Sequence, residues 1–270
     1  MKRTPLALFW LAASTASPRL ARADEGMWLP RQLPAHADTL RQLGLELDPT
    51  ALADLNHGPL QAVVNFGGCS ASFVSADGLI ITNHHCAEDA LQYISSEQQN
   101  ALESGFYAPS RDAEKWAGPG SELLVTVESR DVTEDMNRAA RTARTDAARF
   151  LALDRREKQL VAECEATAGF RCELVSEMGG SQYRLIKSQV IRDVRIVAAP
   201  PEMVGFYGGD VDNWMWPRHC GDFSFFRAYV GADGGSTGFD ASHVPYRPPS
   251  YLRVNPQGVD DGDFVMVAGY

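Results

Sequence analysis

"GGCSASFVSADGLIITNHHC", residues Gly67–Cys86, carries the clearest structural signal in this 270-residue chain. Two β-rich runs flank the dipeptide Asp77-Gly78, and Asp-Gly between apolar runs predicts a tight hairpin. The second run ends in two adjacent histidines and a cysteine, the tripeptide His84–Cys86. Three interpretations of this ending compete: a metal site, a structural histidine beside a disulfide, and the general base of a hydrolase.

Further β-rich runs lie on both sides of this hairpin and predict a mainly β protein. "LQAVVNFGG" precedes it, and "YRLIKSQVIRDVRIVAAP", "DFSFFRAYV", "YLRV" and "DFVMVAGY" follow later in the chain. Residues 87–166 have helical periodicity instead, and the longest helical stretch covers Asp131–Ala166. We therefore predict a β scaffold that is interrupted by a mainly helical insertion at about 87–166.

The N-terminus has the pattern of a secretory signal peptide. The basic pair Lys2-Arg3 precedes a ten-residue apolar core, Pro5–Ser14, and Ala21–Ala23 supplies a small-x-small cleavage motif. That core is too short to cross a bilayer, which takes about 20 residues, so a membrane anchor is disfavoured. We expect cleavage after residues 1–23 and an exported, soluble mature chain, 24–270, with no membrane span.

The mature chain is strongly acidic. Residues 1–23 carry four positive charges and no acid, so their removal takes the net charge from −10 to −14. Such a chain repels phosphate backbones, and nucleic-acid binding is not expected. The apolar content of 44% is that of an ordinary globular protein.

Five cysteines in an exported chain predict disulfide bonds. Cys69 and Cys86 flank the hairpin, and Cys164 and Cys172 lie eight positions apart, so either pair could close a short loop. Cys220 is left over, and its redox state is open.

A metal site is disfavoured by spacing. Zinc sites use separated ligands that converge on one point. His84 and His85 are adjacent, and adjacent side chains on a strand point to opposite faces. Residues 218–220, "RHC", are the one other candidate, and they lack ligand spacing as well. We expect no metal.

The hairpin with its flanking cysteines resembles the segment in which trypsin-like proteases hold their base histidine. There, a disulfide ties the two strands and the histidine lies on the turn after the second. This resemblance implies His85 rather than His84, because the base directly precedes the bridging cysteine. A histidine base needs an orienting acid, and Asp222 stands just before the run "FSFFRAYV". The alternative for Asp222 is a turn-forming residue in Gly221-Asp222.

Four motifs together resemble the S46 family of bacterial dipeptidyl peptidases. They are "GMW" (26–28), "TNHHC" (82–86), "DNWMWPRHCGDFSFFR" (212–227) and "DFVMVAGY" (263–270). They are spread over nearly the whole mature chain, and the long aromatic motif is the most specific of them. The resemblance implies a chymotrypsin-like double β-barrel with a large helical domain over the active site, of which this chain would hold the first barrel. It also implies release of dipeptides from free N-termini of peptides, in the periplasm or at the outer membrane of a Gram-negative bacterium.

Residue by residue, the resemblance implies His85 as the general base and Asp222 as the acid that orients it. Asn213 and Trp214 fall where the family binds the free α-amino group of the substrate. An amide oxygen can accept from an ammonium group while an aromatic wall closes the subsite. The alternative for Trp214 and Trp216 is packing in the core of a tight loop.

The sequence departs from the family pattern at two points. Cys220 stands where relatives usually have threonine. The nucleophilic serine of the family lies in a Gly-x-Ser-Gly-type loop beyond position 270, and Ser70, Ser181 and Ser224 lack that context. We therefore expect a truncated chain that ends before the second barrel is completed.

Two other functions stay open. A trypsin-like endopeptidase would share the dyad but lack an amino-group subsite, and a secreted β-barrel fragment could act only as a binding module. No cofactor is expected, since acyl transfer by Ser-His-Asp needs none. The resemblance alone implies a homodimer. The pocket that sets the side-chain preference next to the cleaved bond is expected near the serine beyond position 270.

Overall fold

A computed structural model describes residues 26–212 and 215–270. The predicted signal peptide, 1–23, lies outside these residues. Short 3-10 helices occur at Pro30–His36, Pro59–Ala62, His85–Ala87, Arg111–Ala113 and Met178–Gly180. The strands are β1 (Val63–Phe66), β2 (Cys69–Phe73), β3 (Leu79–Thr82), β4 (Phe106–Tyr107), β5 (Lys115–Trp116), β6 (Leu123–Asp131), β7 (Phe170–Glu177), β8 (Gln182–Ile191), β9 (Asp193–Ala199), β10 (Ser224–Val230) and β11 (Val244–Pro245). The α-helices are α1 (Ala37–Gln42), α2 (Pro49–Ala53), α3 (Glu88–Ile94), α4 (Ala101–Ser104), α5 (Thr133–Ala140), α6 (Asp146–Cys164), α7 (Glu202–Gly205) and α8 (Gly209–Asp212).

The strands of the described residues form one antiparallel sheet. Its order is β4-β9-β10-β3-β2-β1-β6-β8-β7, with β11 paired to β10 and β5 paired to β9. The predicted hairpin is β2-β3, and its turn contains Gly78 at a φ of 69°. A Cβ at Gly78 would lie 2.7 Å from the carbonyl oxygen of Tyr246, so the turn requires glycine. The mainly β class with helices is confirmed.

The sheet curves strongly around its core. β8 pairs with β6 and β9 pairs with β10, yet only Arg192 separates β8 from β9 in the chain. One continuous stretch of chain therefore pairs with strands that lie far apart in the sheet order. Phe66 of β1 and Phe226 of β10 also meet, with ring centroids 4.7 Å apart, although β2 and β3 lie between their strands. Both phenylalanines belong to the main buried apolar cluster.

The helical segment is less uniform than predicted. Residues 87–166 also contain the short strands β4 and β5 and the longer β6, which lies between β1 and β8 in the sheet. β6 buries Leu123 and Val125 on alternate positions, as a strand does. The predicted stretch Asp131–Ala166 is two helices, and the Thr145 hydroxyl caps the second by accepting from the Ala148 N–H. Both helices pack on β7 and β8 through a second apolar cluster.

The β-rich runs "YLRV" and "DFVMVAGY" form no strand in the described residues. Their backbone instead makes isolated contacts: the Leu252 N–H donates to the Phe73 carbonyl, and the Tyr270 N–H donates to the Ser70 hydroxyl. Phe264 packs against a small cluster of N-terminal leucines. A strand needs a hydrogen-bonded neighbour, and no neighbouring strand pairs with these runs here.

Two disulfide bonds join Cys69 to Cys86 and Cys164 to Cys172. These are the two pairs that the spacing predicts. The first ties the start of β2 to the turn after β3, and the second ties the end of α6 to β7. None of the helices in the described ranges has the length and apolar character needed to cross a membrane.

Phe226 anchors the main core, and its side chain is completely buried. We expect Phe226→Ala to lower the free energy of unfolding by about 3–5 kcal/mol, because burial is lost and a cavity is left. Urea denaturation followed by circular dichroism measures this. The control is Phe150→Ala on α6, whose residue is 68% exposed and should change stability by less than about 0.5 kcal/mol. Equal effects of the two variants would contradict this assignment of the core.

Candidate active site

The turn that carries the two histidines is fixed at both ends. On one side, Thr82 closes β3, pairs with Ser224 of β10 and donates its hydroxyl to the Ser70 carbonyl at 2.9 Å. On the other side, Cys86 is held by its disulfide to Cys69. The pairing of β3 with β10 and the disulfide of Cys86 therefore fix the position of the short helix His85–Ala87.

The two histidines have different surroundings. His84 is buried, with 1% exposed, and its Nε2 lies 2.9 Å from the Pro200 carbonyl oxygen. The side chain of His85 is 63% exposed and contacts Asp222. Only His85 is accessible to a reacting group.

Among the described residues, His85, Cys69 and Cys86 form a group of potential metal ligands. One of the ring nitrogens of His85 and the sulfurs of Cys69 and Cys86 lie within 4.8 Å of one another. Both sulfurs belong to the disulfide, so neither offers the thiolate that a metal binds. The chemistry of this donor set does not fit a metal.

Asp222 meets His85 across 137 residues of chain. Its Oδ2 lies 3.2 Å from His85 Nδ1. The contact follows from the sheet: β3 ends where β10 begins, because the two strands are antiparallel neighbours and Thr82 pairs with Ser224. Asp222 stands two residues before Ser224, at the same edge.

Several other groups hold the Asp222 carboxylate. Oδ1 accepts from the backbone N–H of His84 at 2.6 Å and from that of His85 at 3.4 Å. Oδ2 also accepts from the Asn83 amide at 3.0 Å, and the Arg218 guanidinium lies 3.7 Å away. Sequence reasoning missed Asn83 and Arg218, although both stand inside the motifs that carry the family resemblance.

The pKa of Asp222 is lowered. Burial is the strongest single influence and raises the pKa, since the side chain is only 15% exposed. The N–H of His84, the charge of His85, the N–H of His85 and the Asn83 amide act in the opposite direction and together outweigh burial. Asp222 is therefore ionised at neutral pH.

This arrangement suits general base catalysis. Asp222 engages Nδ1 of His85, which orients the imidazole and selects the tautomer with its proton on that nitrogen. Nε2 is then left as the proton acceptor on an exposed ring. The pair can take a proton from a nucleophile and stabilise the imidazolium that results.

The other site residues have mixed outcomes. Asn213 and Trp214 lie outside the described residues. Trp216 is 91% exposed, which excludes packing in a loop core as its role. Cys220 lies outside both disulfides, and its Sγ is 3.1 Å from the Tyr207 carbonyl oxygen.

The serines that sequence reasoning set aside have structural contacts. Ser224 is buried and donates its hydroxyl to the Asn83 carbonyl at 2.7 Å. Ser181 donates to the Met178 carbonyl. Ser70 contacts the backbone of Tyr270.

Known proteins resemble this chain over most of its length. The Asp/Glu-specific dipeptidyl-peptidase of Shewanella putrefaciens is 47% identical over 251 residues, which cover 93% of this chain and 34% of that protein. Dipeptidyl-peptidase 7 of Capnocytophaga gingivalis is 36% identical over 258 residues, which cover 94% of this chain and 36% of the relative.

Solved structures give the same result. The crystal structure of Porphyromonas endodontalis DPP11 in complex with substrate matches with a TM-score of 0.80 and 37% sequence identity. The match covers 89% of this chain and 36% of that one. The same protein in an alternate conformation matches with a TM-score of 0.79 and 38% identity, over 89% of this chain and 37% of the other.

The chain spans about a third of the length of the curated relatives it matches. The sequence profile described as Peptidase S46 matches residues 23–270, which is almost the whole chain. The chain therefore belongs to the peptidase S46 family.

Proposed function

We propose that this chain is the N-terminal part of a serine-type dipeptidyl peptidase that releases dipeptides from the free N-terminus of peptides. The observation that carries the proposal is the contact of 3.2 Å between His85 Nδ1 and Asp222 Oδ2, with the imidazole exposed on its other side. The relatives that this chain matches are named dipeptidyl-peptidases, and this supports the same activity.

In this mechanism, a serine outside these 270 residues attacks the carbonyl carbon of the second substrate residue. Nε2 of His85 takes the serine proton as the bond to the carbonyl forms. The protonated imidazole then donates this proton to the leaving amine as the peptide bond breaks. Asp222 stays ionised and stabilises the imidazolium. Water repeats the sequence to release the dipeptide and restore the serine.

The fold proposed for the catalytic unit is the first barrel of a chymotrypsin-like double barrel. Its support is the path β9-β10-β3-β2-β1-β6-β8, which begins and ends on strands joined through Arg192. The contact of Phe66 with Phe226 across the interior is consistent with a closed barrel. His85 and Asp222 then lie together at one rim of it.

Recognition of the substrate N-terminus is assigned to Asn213 and Trp214. The support is their position in the chain, directly after α8 and a few residues before Asp222. α8 ends in Asp212 and also contains Asp210, and both carboxylates are exposed. Negative charge beside the subsite favours an ammonium group over a blocked, neutral N-terminus.

The cellular setting is part of the proposal. The signal peptide pattern in 1–23 and the disulfides support export to the periplasm or the outer-membrane surface. A homodimer is carried over from the family resemblance.

The substrate proposal is tested with the full-length enzyme that contains this chain. We expect hydrolysis of unblocked dipeptidyl fluorogenic amides at least about 100-fold faster, in kcat/KM, than of the same amides with an acetylated N-terminus, because one charged contact is lost. Both rates are measured by the fluorescence of the fluorophore that hydrolysis releases. Equal rates would favour the second candidate, a trypsin-like endopeptidase, and no hydrolysis of either would favour a binding module.

The roles of the dyad are tested by substitution. We expect Asp222→Asn to lower kcat by about 10³–10⁴-fold, because the amide favours the wrong imidazole tautomer, and His85→Ala to abolish acylation. Initial rates and burst kinetics with an unblocked substrate measure this. The control, Asp261→Asn, alters an exposed carboxylate and should leave kcat within about twofold. A loss of less than tenfold for Asp222→Asn would remove this residue from the mechanism.

A further inference from the structure

The first histidine of the pair in "TNHHC" takes no part in the dyad. Its imidazole is buried, and Nε2 of His84 lies 2.9 Å from the Pro200 carbonyl oxygen. A carbonyl oxygen can only accept a hydrogen bond, so Nε2 carries the proton and donates it. The same ring lies against Gly205, where a Cβ would collide with it. The ring therefore contacts the segment after β9 at its first residue and again at the end of α7.

This segment in turn contacts the loop that carries Asp222. The carbonyl oxygen of Val204 accepts from the Gly221 N–H at 2.8 Å. Gly221 is closely packed there, since a Cβ on it would lie 2.9 Å from the Val204 side chain. The Sγ of Cys220 lies 3.1 Å from the Tyr207 carbonyl oxygen. Two consecutive residues of the loop are therefore bonded to the segment that the His84 ring contacts.

The contacts return from this loop to His84. Asp222 follows Gly221 directly, and its Oδ1 accepts from the backbone N–H of His84 at 2.6 Å. The backbone of His84 thus binds the carboxylate, while its ring supports the chain beside that carboxylate. This support matters because neither the segment nor the loop lies in a strand: β9 ends at Ala199 and β10 begins at Ser224.

The need to fill space does not explain a polar ring at this position. An apolar side chain of similar size would do so without placing polar nitrogens in the interior. Burial of such nitrogens costs free energy unless they are hydrogen-bonded. The bond to Pro200 offsets that cost and joins two segments 116 residues apart in the chain. A hydrogen bond depends on distance and angle, so it fixes the relative position of these segments more narrowly than apolar contact does.

We propose that the side chain of His84 is a positioning residue for Asp222. It supports the loop that precedes this acid and thereby keeps the carboxylate in contact with Nδ1 of His85. This inference rests on the proposed function, in which Asp222 orients the base. The exposed His85 then performs the proton transfer, and the buried His84 acts on the reaction only through Asp222.

Substitution in the full-length enzyme tests this role. We expect His84→Leu, which keeps apolar volume and loses the donor, to lower kcat for unblocked dipeptidyl amides about 10- to 100-fold, because small displacements of an orienting group have effects of this order. KM should stay within about twofold, since no group that binds substrate is removed. His84→Gln restores an N–H donor and should recover most of kcat. The control, Leu52→Ala, empties a buried site on α2 and should keep kcat within about twofold.

A double substitution distinguishes positioning of Asp222 from a general loss of structure. If His84 acts through Asp222, adding His84→Leu to Asp222→Asn should lower kcat by less than a further factor of about two, because the carboxylate that it positions is already absent. A role independent of Asp222 would instead multiply the losses of the two single variants. Initial rates of the wild type, both single variants and the double variant measure this.

Hydrogen exchange tests the same inference without relying on catalysis. We expect the Gly221 amide to exchange at least about tenfold faster in His84→Leu, because its acceptor, the Val204 carbonyl, is no longer held in place. The Ala228 amide, which bonds to Gly78, is the internal reference and should be unchanged. If the wild-type enzyme hydrolyses no unblocked substrate, the proposed function fails, while this measurement still decides whether His84 supports the loop of Asp222.

Three results would overturn the inference: unchanged exchange at Gly221 in His84→Leu, equal losses of kcat in His84→Gln and His84→Leu, and multiplied losses in the double variant. If the His84 variants do not fold, Gly205→Ala is measured in their place, because its methyl group would displace α7 from the imidazole. Gly205→Ala should lower kcat and speed exchange at Gly221, and wild-type values of both would likewise overturn the inference.

Discussion

The pairing of β3 with β10 is the constraint on which the site depends. Four residue pairs join the two strands, from Arg227 with Leu79 to Ser224 with Thr82. At the last pair, the buried Ser224 hydroxyl donates to the Asn83 carbonyl and fixes the chain as it leaves the sheet. A shift of one residue in this register would turn every side chain of β10 to the opposite face and carry Asp222 away from His85. The register of β3 against β10 therefore determines whether Asp222 can contact His85.

Asp222 has a structural and a chemical role at once. A carboxylate this buried would be costly without partners. The N–H groups of His84 and His85 and the amide of Asn83 supply them, and in doing so they stiffen the turn after β3. The hydrogen bonds that offset the cost of burying this charge also orient the carboxylate toward the imidazole of His85. The fold of the turn and its hydrogen bonds to Asp222 therefore orient the base.

Local patterns in the sequence predicted local features well. The hairpin and both disulfides follow from residue types and spacing. The choice of His85 over His84 came from the resemblance to trypsin-like proteases. The pairing of His85 with Asp222 came from family resemblance, because no local rule connects groups so far apart in the chain. The differences from the prediction have tertiary causes. β6 lies inside the segment predicted to be mainly helical because its pairing partners, β1 and β8, are remote in the chain. "DFVMVAGY" was predicted to be a strand, but β-rich composition does not supply a pairing partner. The contact of His84 with Pro200 left no signal in the sequence beyond the second histidine itself.

The two ends of β9 and β10 show why the base can stay exposed. At the end far from the site, the buried side chains are fully paired: Arg195 bonds to Asp193, and Glu114 accepts from Arg227 and from the Tyr229 hydroxyl. Breaking a buried pair of this kind costs several kcal/mol, so that end resists local opening. At the site end, the imidazole of His85 contributes one contact and little buried surface. Because these buried pairs hold the far end, the fold does not depend on the exposed imidazole of His85. Removal of this side chain should therefore lower activity and leave stability largely unchanged.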